Sequence, residues 1–101
     1  MLNLMDNTDF EKEIKKIFDE AYILLLRKHK DYGPLNISSA PGGAINGLIV
    51  RKHDKFERIK NLFYNKPNEE PQFETLRETF IDDLNYSAIA IMNLDGTWPK
   101  Q

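Results

Sequence analysis

Residues 74–92 read ETLRETFIDDLNYSAIAIM. On a helix turning about 100° per residue, Glu74, Glu78, Asp82, Asn85, Ile89 and Met92 fall within an arc of roughly 80°. The segment has no internal Gly or Pro, and Gly96 offers a C-terminal stop. Pro71 suits a first helical position. A helix is therefore expected over about residues 72–94. One stripe of it is acidic at its start and apolar at its end. Carboxylates at i, i+4 and i+8 repel each other and weaken an isolated helix, so a cation is expected over them. Mg²⁺ is the natural choice, because it takes oxygen ligands and commonly binds substrate phosphates as well. The bland alternative is a solvated acidic turn.

Working outward, two more helices are expected. Thr8 and Glu11 have the spacing of a capping box, and Phe10, Ile14, Ile17, Phe18, Ala21, Leu24 and Leu25 repeat at the helical period. This first helix should run over about 8–30 and end at the breakers Gly33 and Pro34. Residues 31–43, DYGPLNISSAPGG, form a long irregular connection; such a loop is either functional or a spacer. A second helix should span about 44–64, with an apolar face of Ile45, Leu48, Ile49, Phe56, Ile59 and Phe63. Its polar stripe carries Arg51, Asp54, Arg58 and Asn61, bordered by Lys55. Asp54 and Arg58 are also spaced for an ordinary i, i+4 surface pair. Trp98 lies in a short tail, expected to pack on the domain or a partner.

The expected fold is all-α: three main helices in one domain over residues 1–101. Surplus apolar surface, above all on the last helix, suggests a bundle completed by homo-oligomerisation as a dimer or higher assembly. The chain has 101 residues, a net charge of −2 and no cysteine. No disulfide framework or thiolate metal site is available. No basic excess points to duplex nucleic acid or to an anionic membrane. No apolar run approaches a membrane span, and the N-terminus lacks the order of a signal peptide, so a cytoplasmic protein is expected. Nucleophilic catalysis has no recognisable Ser-His-Asp set, and neither common phosphate-binding glycine motif is present.

Opposing the two polar stripes gives the expected chemistry. The acidic stripe would hold Mg²⁺, with Mn²⁺ as a substitute. Arg51, Lys55 and Arg58 would take phosphate oxygens, and Asn85 would hydrogen-bond a base or sugar edge. Removing the Asp82 charge should relieve like-charge repulsion, leaving the metal-free fold intact or more stable.

Two stretches, KHKDYGPLNISSAPGGAINGLIVRKHDKFERIKNL and ETLRETFIDDLNYSAIAIMNLDGTWP, carry a resemblance. Lys28, Asp31, Tyr32 and Gly33, then Asp54, Lys55 and Arg58, then Glu74, Glu78, Asp82, Asn85 and Tyr86 resemble the motifs of a phage and bacterial nucleotide-modification-associated domain family. That family looks related to the MazG-like all-α nucleoside triphosphate pyrophosphohydrolases. The resemblance covers about residues 28–99. It implies Mg²⁺-dependent cleavage of a (deoxy)nucleoside triphosphate to monophosphate and pyrophosphate. Asp54, Glu74, Glu78 and Asp82 would bind metal, with Glu78 and Asp82 catalytic. Asp31, Tyr32, Asn85 and Tyr86 would shape the base and sugar pocket. The superfamily's usual ExxE and ExxD pairs are replaced here by Asp54 on one helix and i+4 spacing on the other. Two other readings compete: a non-catalytic binder that sequesters a nucleotide or a nucleotide-derived signal, and a helical interaction module.

Overall fold

The computed structural model describes residues 7–101, and among these there is no β-strand. The order is α1 (Asn7–Tyr32), α2 (Leu35–Ser38), α3 (Ala44–Lys60), a π-helical turn (Asn61–Asn65) and α4 (Leu76–Asp95). The three main helices of the sequence reading are present. The long connection after α1 is not wholly irregular, because it folds into the single turn of α2.

Several boundaries differ from expectation, each for a local reason. Thr8 lies inside α1 rather than at its cap. At the other end α1 runs to Tyr32, where Gly33 adopts φ 69° and donates its backbone N–H to the His29 carbonyl at 2.8 Å. α4 starts at Leu76, not near Gln72. Thr75 is its N-cap: its hydroxyl accepts from Glu78 N at 3.1 Å, and Glu78 Oε1 accepts from Thr75 N at 3.0 Å. This reciprocal pair satisfies two otherwise orphaned amides and outweighs the weaker start signal of Pro71. Glu74 therefore precedes the helix and does not share its stripe. At the far end Gly96, with φ 74°, closes the helix as expected.

α4 lies between α1 and α3 and packs on both, more extensively on α3, while α2 packs on α3. The core is small: Ile37, Leu48 and Ile89 are buried, with Leu25, Tyr86, Ala90 and Trp98 packed around them. α2 reaches it through Ile37. The approach of the α2–α3 connection depends on Gly47, where a Cβ would come within 2.6 Å of the Ala40 Cβ. Exposed helical Gly→Ala changes usually gain up to about 1 kcal/mol. Here the clash should win, and Gly47→Ala should lose about 1–3 kcal/mol. Chemical denaturation checks this, and a stabilised variant would contradict the packing. No helix of the described residues is long and apolar enough to cross a membrane.

Candidate functional site

The open face of α4 between α1 and α3 forms the floor of a cavity of about 500 Å³. α4 contributes Asp82, Asn85, Tyr86 and Ile89; α1 contributes Lys28, His29 and Tyr32; α3 contributes Arg51 and Lys55. The turn of α2 supplies Asn36 and Ile37, Glu74 lines the cavity as well, and so does Trp98. Trp98 is held in place by donating Nε1–H to the Pro34 carbonyl at 3.1 Å and by an edge contact with His29 at 5.3 Å between ring centroids. It packs on the domain, as the sequence reading allowed, and also borders the cavity.

Asp82 is the electrostatic centre. It is buried at 7% exposure. Lys28 Nζ donates to its Oδ1 at 2.6 Å, and Lys55 Nζ pairs with its Oδ2 at 2.8 Å. Lys55 also donates to both Glu74 oxygens at 2.9 Å. The two carboxylates and two ammoniums thus form one chain, Lys28–Asp82–Lys55–Glu74, neutral in sum. Burial alone would raise the Asp82 carboxyl, but the hydrogen bonds and charges of Lys28 and Lys55 outweigh it and hold the group below its ordinary 3.8. For Lys55, burial works toward a lower value, and the bonds to Asp82 and Glu74 overcome it and raise the ammonium above 10.5.

Arg51 is different. Among the described residues it has no carboxylate partner; it donates to the Asn36 carbonyl at 3.2 Å and lies 5.9 Å from the Tyr86 ring centroid. That distance allows a cation–π contact and leaves most of the guanidinium's donors for another acceptor.

Of the residues expected to form the site, Tyr32, Arg51, Lys55, Glu74, Asp82, Asn85 and Tyr86 meet at this cavity. The others do not line it. Asp54 is exposed on α3, and Asp31 is exposed near the end of α1. Glu78 is exposed, occupied by the cap, and faces a neighbouring groove between α1 and α4. Arg58 is turned toward the start of α4, donating to the Thr79 hydroxyl at 3.3 Å and to the Glu74 carbonyl. It clamps the α4 N-terminus rather than pointing into the cavity. Asn85 spends one amide hydrogen on the Ala21 carbonyl at 3.0 Å.

The expected metal set is therefore not assembled. Among the described residues no group of three or more His, Asp or Glu side chains is placed to hold a metal ion. The two carboxylates that do approach each other share an ammonium. The donors as arranged do not fit a resident Mg²⁺, which would have to displace Lys55 and compete with Lys28.

Sequence reasoning gave no site role to Lys28, His29, Asn36 or Trp98. Lys28 carried a usable signal, because it lies seven residues after Ala21 and continues the inward face of α1. A lysine on an inward stripe calls for a buried anion. Asn36 and Trp98 reach the cavity through tertiary packing and left no such trace.

A scan against models of known protein families finds no match, and searches of curated proteins and of solved structures find none either. The family resemblance rests on the quoted motifs alone.

Proposed function

We propose that the cavity binds a phosphorylated nucleotide and holds it without cleaving it. The observation that carries this reading is the make-up of the lining: Lys28, Arg51 and Lys55 share one cavity with Tyr32, Tyr86 and Trp98. Cations serve phosphate oxygens, and Arg does so with bidentate geometry. Aromatic faces serve a planar base. The volume is in the range of small-molecule sites. With Asp82 and Glu74 counted against the three cations, Arg51 remains as net positive charge, which favours an anionic ligand.

The same geometry favours binding over hydrolysis. A Mg²⁺-dependent pyrophosphohydrolase needs carboxylates available to metal, whereas Asp82 and Glu74 are bonded to lysines. Cleavage would first require those ion pairs to open. Sequestration requires only that phosphates engage Arg51 and the outward hydrogens of Lys28 and Lys55.

The chain's single tryptophan borders the cavity and so reports on it. Titrating nucleoside mono-, di- and triphosphates should change Trp98 emission saturably, with inorganic phosphate and free nucleoside far weaker. A flat response to every nucleotide, confirmed by equilibrium dialysis, would end the proposal.

A further inference from the structure

Asn85 is 7% exposed and lines the cavity among the apolar side chains of Leu25, Ile37 and Ile89. Its Nδ2 donates to the Ala21 carbonyl at 3.0 Å. A carbonyl only accepts, so the amide nitrogen has to face α1, and this fixes the orientation of the whole amide. Oδ1 is left as a bare acceptor. Among the described residues no donor meets it, and no fully enclosed side-chain nitrogen or oxygen lacks a partner. Oδ1 therefore keeps its access to the cavity. A lone acceptor in an apolar wall calls for a ligand that brings a hydrogen-bond donor.

The order of groups along α4 says which donor. At about 1.5 Å of rise per residue, the cavity face runs from Asp82, through Asn85 about 4.5 Å on, to Ile89 about 6 Å beyond. Lys28 and Lys55 are bonded to Asp82 at the first position. Trp98 packs at the last, on the cluster of Ile37, Leu48 and Ile89. Arg51 enters from α3, over Tyr86, and donates to the Asn36 carbonyl rather than to Oδ1. Cations, then one acceptor, then an aromatic ring is also the order of a nucleotide: phosphates on the 5′ carbon, hydroxyls on the sugar ring, the base at the far side. An exocyclic amine on the outer edge of the base would lie beyond Asn85, toward Trp98.

We propose that Asn85 Oδ1 accepts a hydrogen bond from a hydroxyl of the ligand's sugar, and that the cavity selects nucleotides by that hydroxyl. This selectivity presupposes nucleotide binding as proposed above; what is added is the part of the ligand recognised and the atom that recognises it. Phosphate contacts alone cannot make the choice, since every sugar form of a nucleotide carries the same phosphates. A ligand without the hydroxyl would bury Oδ1 unpaired, and a site built around such a bond rejects the analogue that lacks it.

Calorimetry on the full chain in EDTA tests this. Of the adenine, guanine, cytosine and uracil triphosphates, the tightest binder is compared in its ribose, 2′-deoxy, 3′-deoxy and 2′,3′-dideoxy forms. The dideoxy form should bind about 10- to 100-fold more weakly than the ribose form, and a monodeoxy form that shares the loss identifies the hydroxyl. In Asn85→Ala the ratio of ribose to dideoxy affinity should fall to near one. That variant also loses the bond to Ala21, so the comparison is made between ligands on the same variant, with its helical circular dichroism retained. The wild-type series needs no variant and decides by itself where Asn85→Ala does not fold. A dideoxy form bound as tightly as the ribose form by the wild type, or a ratio that survives Asn85→Ala, overturns the sugar contact and leaves nucleotide binding standing. No binding of any triphosphate overturns both.

Discussion

Asp82→Asn should cost the fold about 2–3 kcal/mol, a fall of roughly 10–20 °C in Tm for a domain of this length. The sequence alone suggests the opposite, since three carboxylates at helical spacing repel and removing one should help. In the folded chain Asp82 has no carboxylate neighbour at bonding distance. Its two oxygens are bonded to Lys28 and Lys55. Neutralising it leaves Lys55, whose side chain is 17% exposed, with only Glu74 to balance it. Breaking a fully buried pair costs about 3–5 kcal/mol; the estimate is lower here because Lys28 is 40% exposed and can turn to water.

The pH dependence follows with a definite sign. The Asp82 carboxyl is held below 3.8 in the folded chain. It binds its proton less readily when folded, so its contribution is present above about pH 4 and disappears as pH falls through the lowered value. Lys55, held above 10.5, contributes fully below that value and loses its contribution as pH rises through the raised one. Denaturation midpoints should form a plateau between these limits. Asp82→Asn should flatten the acid limb in particular, and a variant as stable as the wild type at pH 7 would contradict the ion-pair chain.

Arg51→Ala should weaken triphosphate binding about 10- to 150-fold while leaving nucleoside binding nearly unchanged. A hydrogen bond to a charged group contributes about 1.5–3 kcal/mol, and each 1.4 kcal/mol is tenfold in affinity. Arg51 is the sharp probe because its loss costs the fold little: its one backbone bond, to Asn36, lies at the surface. Arg58, which looks equivalent in the sequence, should behave differently. It ties the start of α4 through Thr79 and Glu74, so Arg58→Ala should lower stability and spare affinity. Calorimetry on both variants separates the roles. Equal penalties for nucleoside and triphosphate in Arg51→Ala would remove Arg51 from the phosphate contact.

The helical fold was legible because the apolar period of α1, α3 and α4 is strong and uninterrupted. Pro71 marks a helix start in the sequence, but α4 begins later, because Thr75 and Glu78 stand at capping-box spacing and close that box in the fold. That later start takes Glu74 off the helix and commits Glu78 to the cap, so Asp82 is the one carboxylate of the α4 stripe that lines the cavity. Asp82, Asn85 and Tyr86 remained together because their shared face depends only on helical spacing. What spacing cannot show is which lysine crosses from another element. Lys28 reaches Asp82 across 54 positions in sequence, and Lys55 reaches Glu74 across 19. Those crossings set ammoniums on the carboxylates that spacing alone would offer to a cation.

The most direct test of the central claim is calorimetric titration of the purified chain with a nucleotide panel, once with excess EDTA and once with Mg²⁺, with pyrophosphate release followed in parallel. The account predicts saturable binding of phosphorylated nucleotides in EDTA, affinity that weakens as salt rises, and no pyrophosphate under either condition. Binding only with Mg²⁺ together with steady release of pyrophosphate would contradict it, and would mean that Asp82 and Glu74 leave their lysines to take up metal.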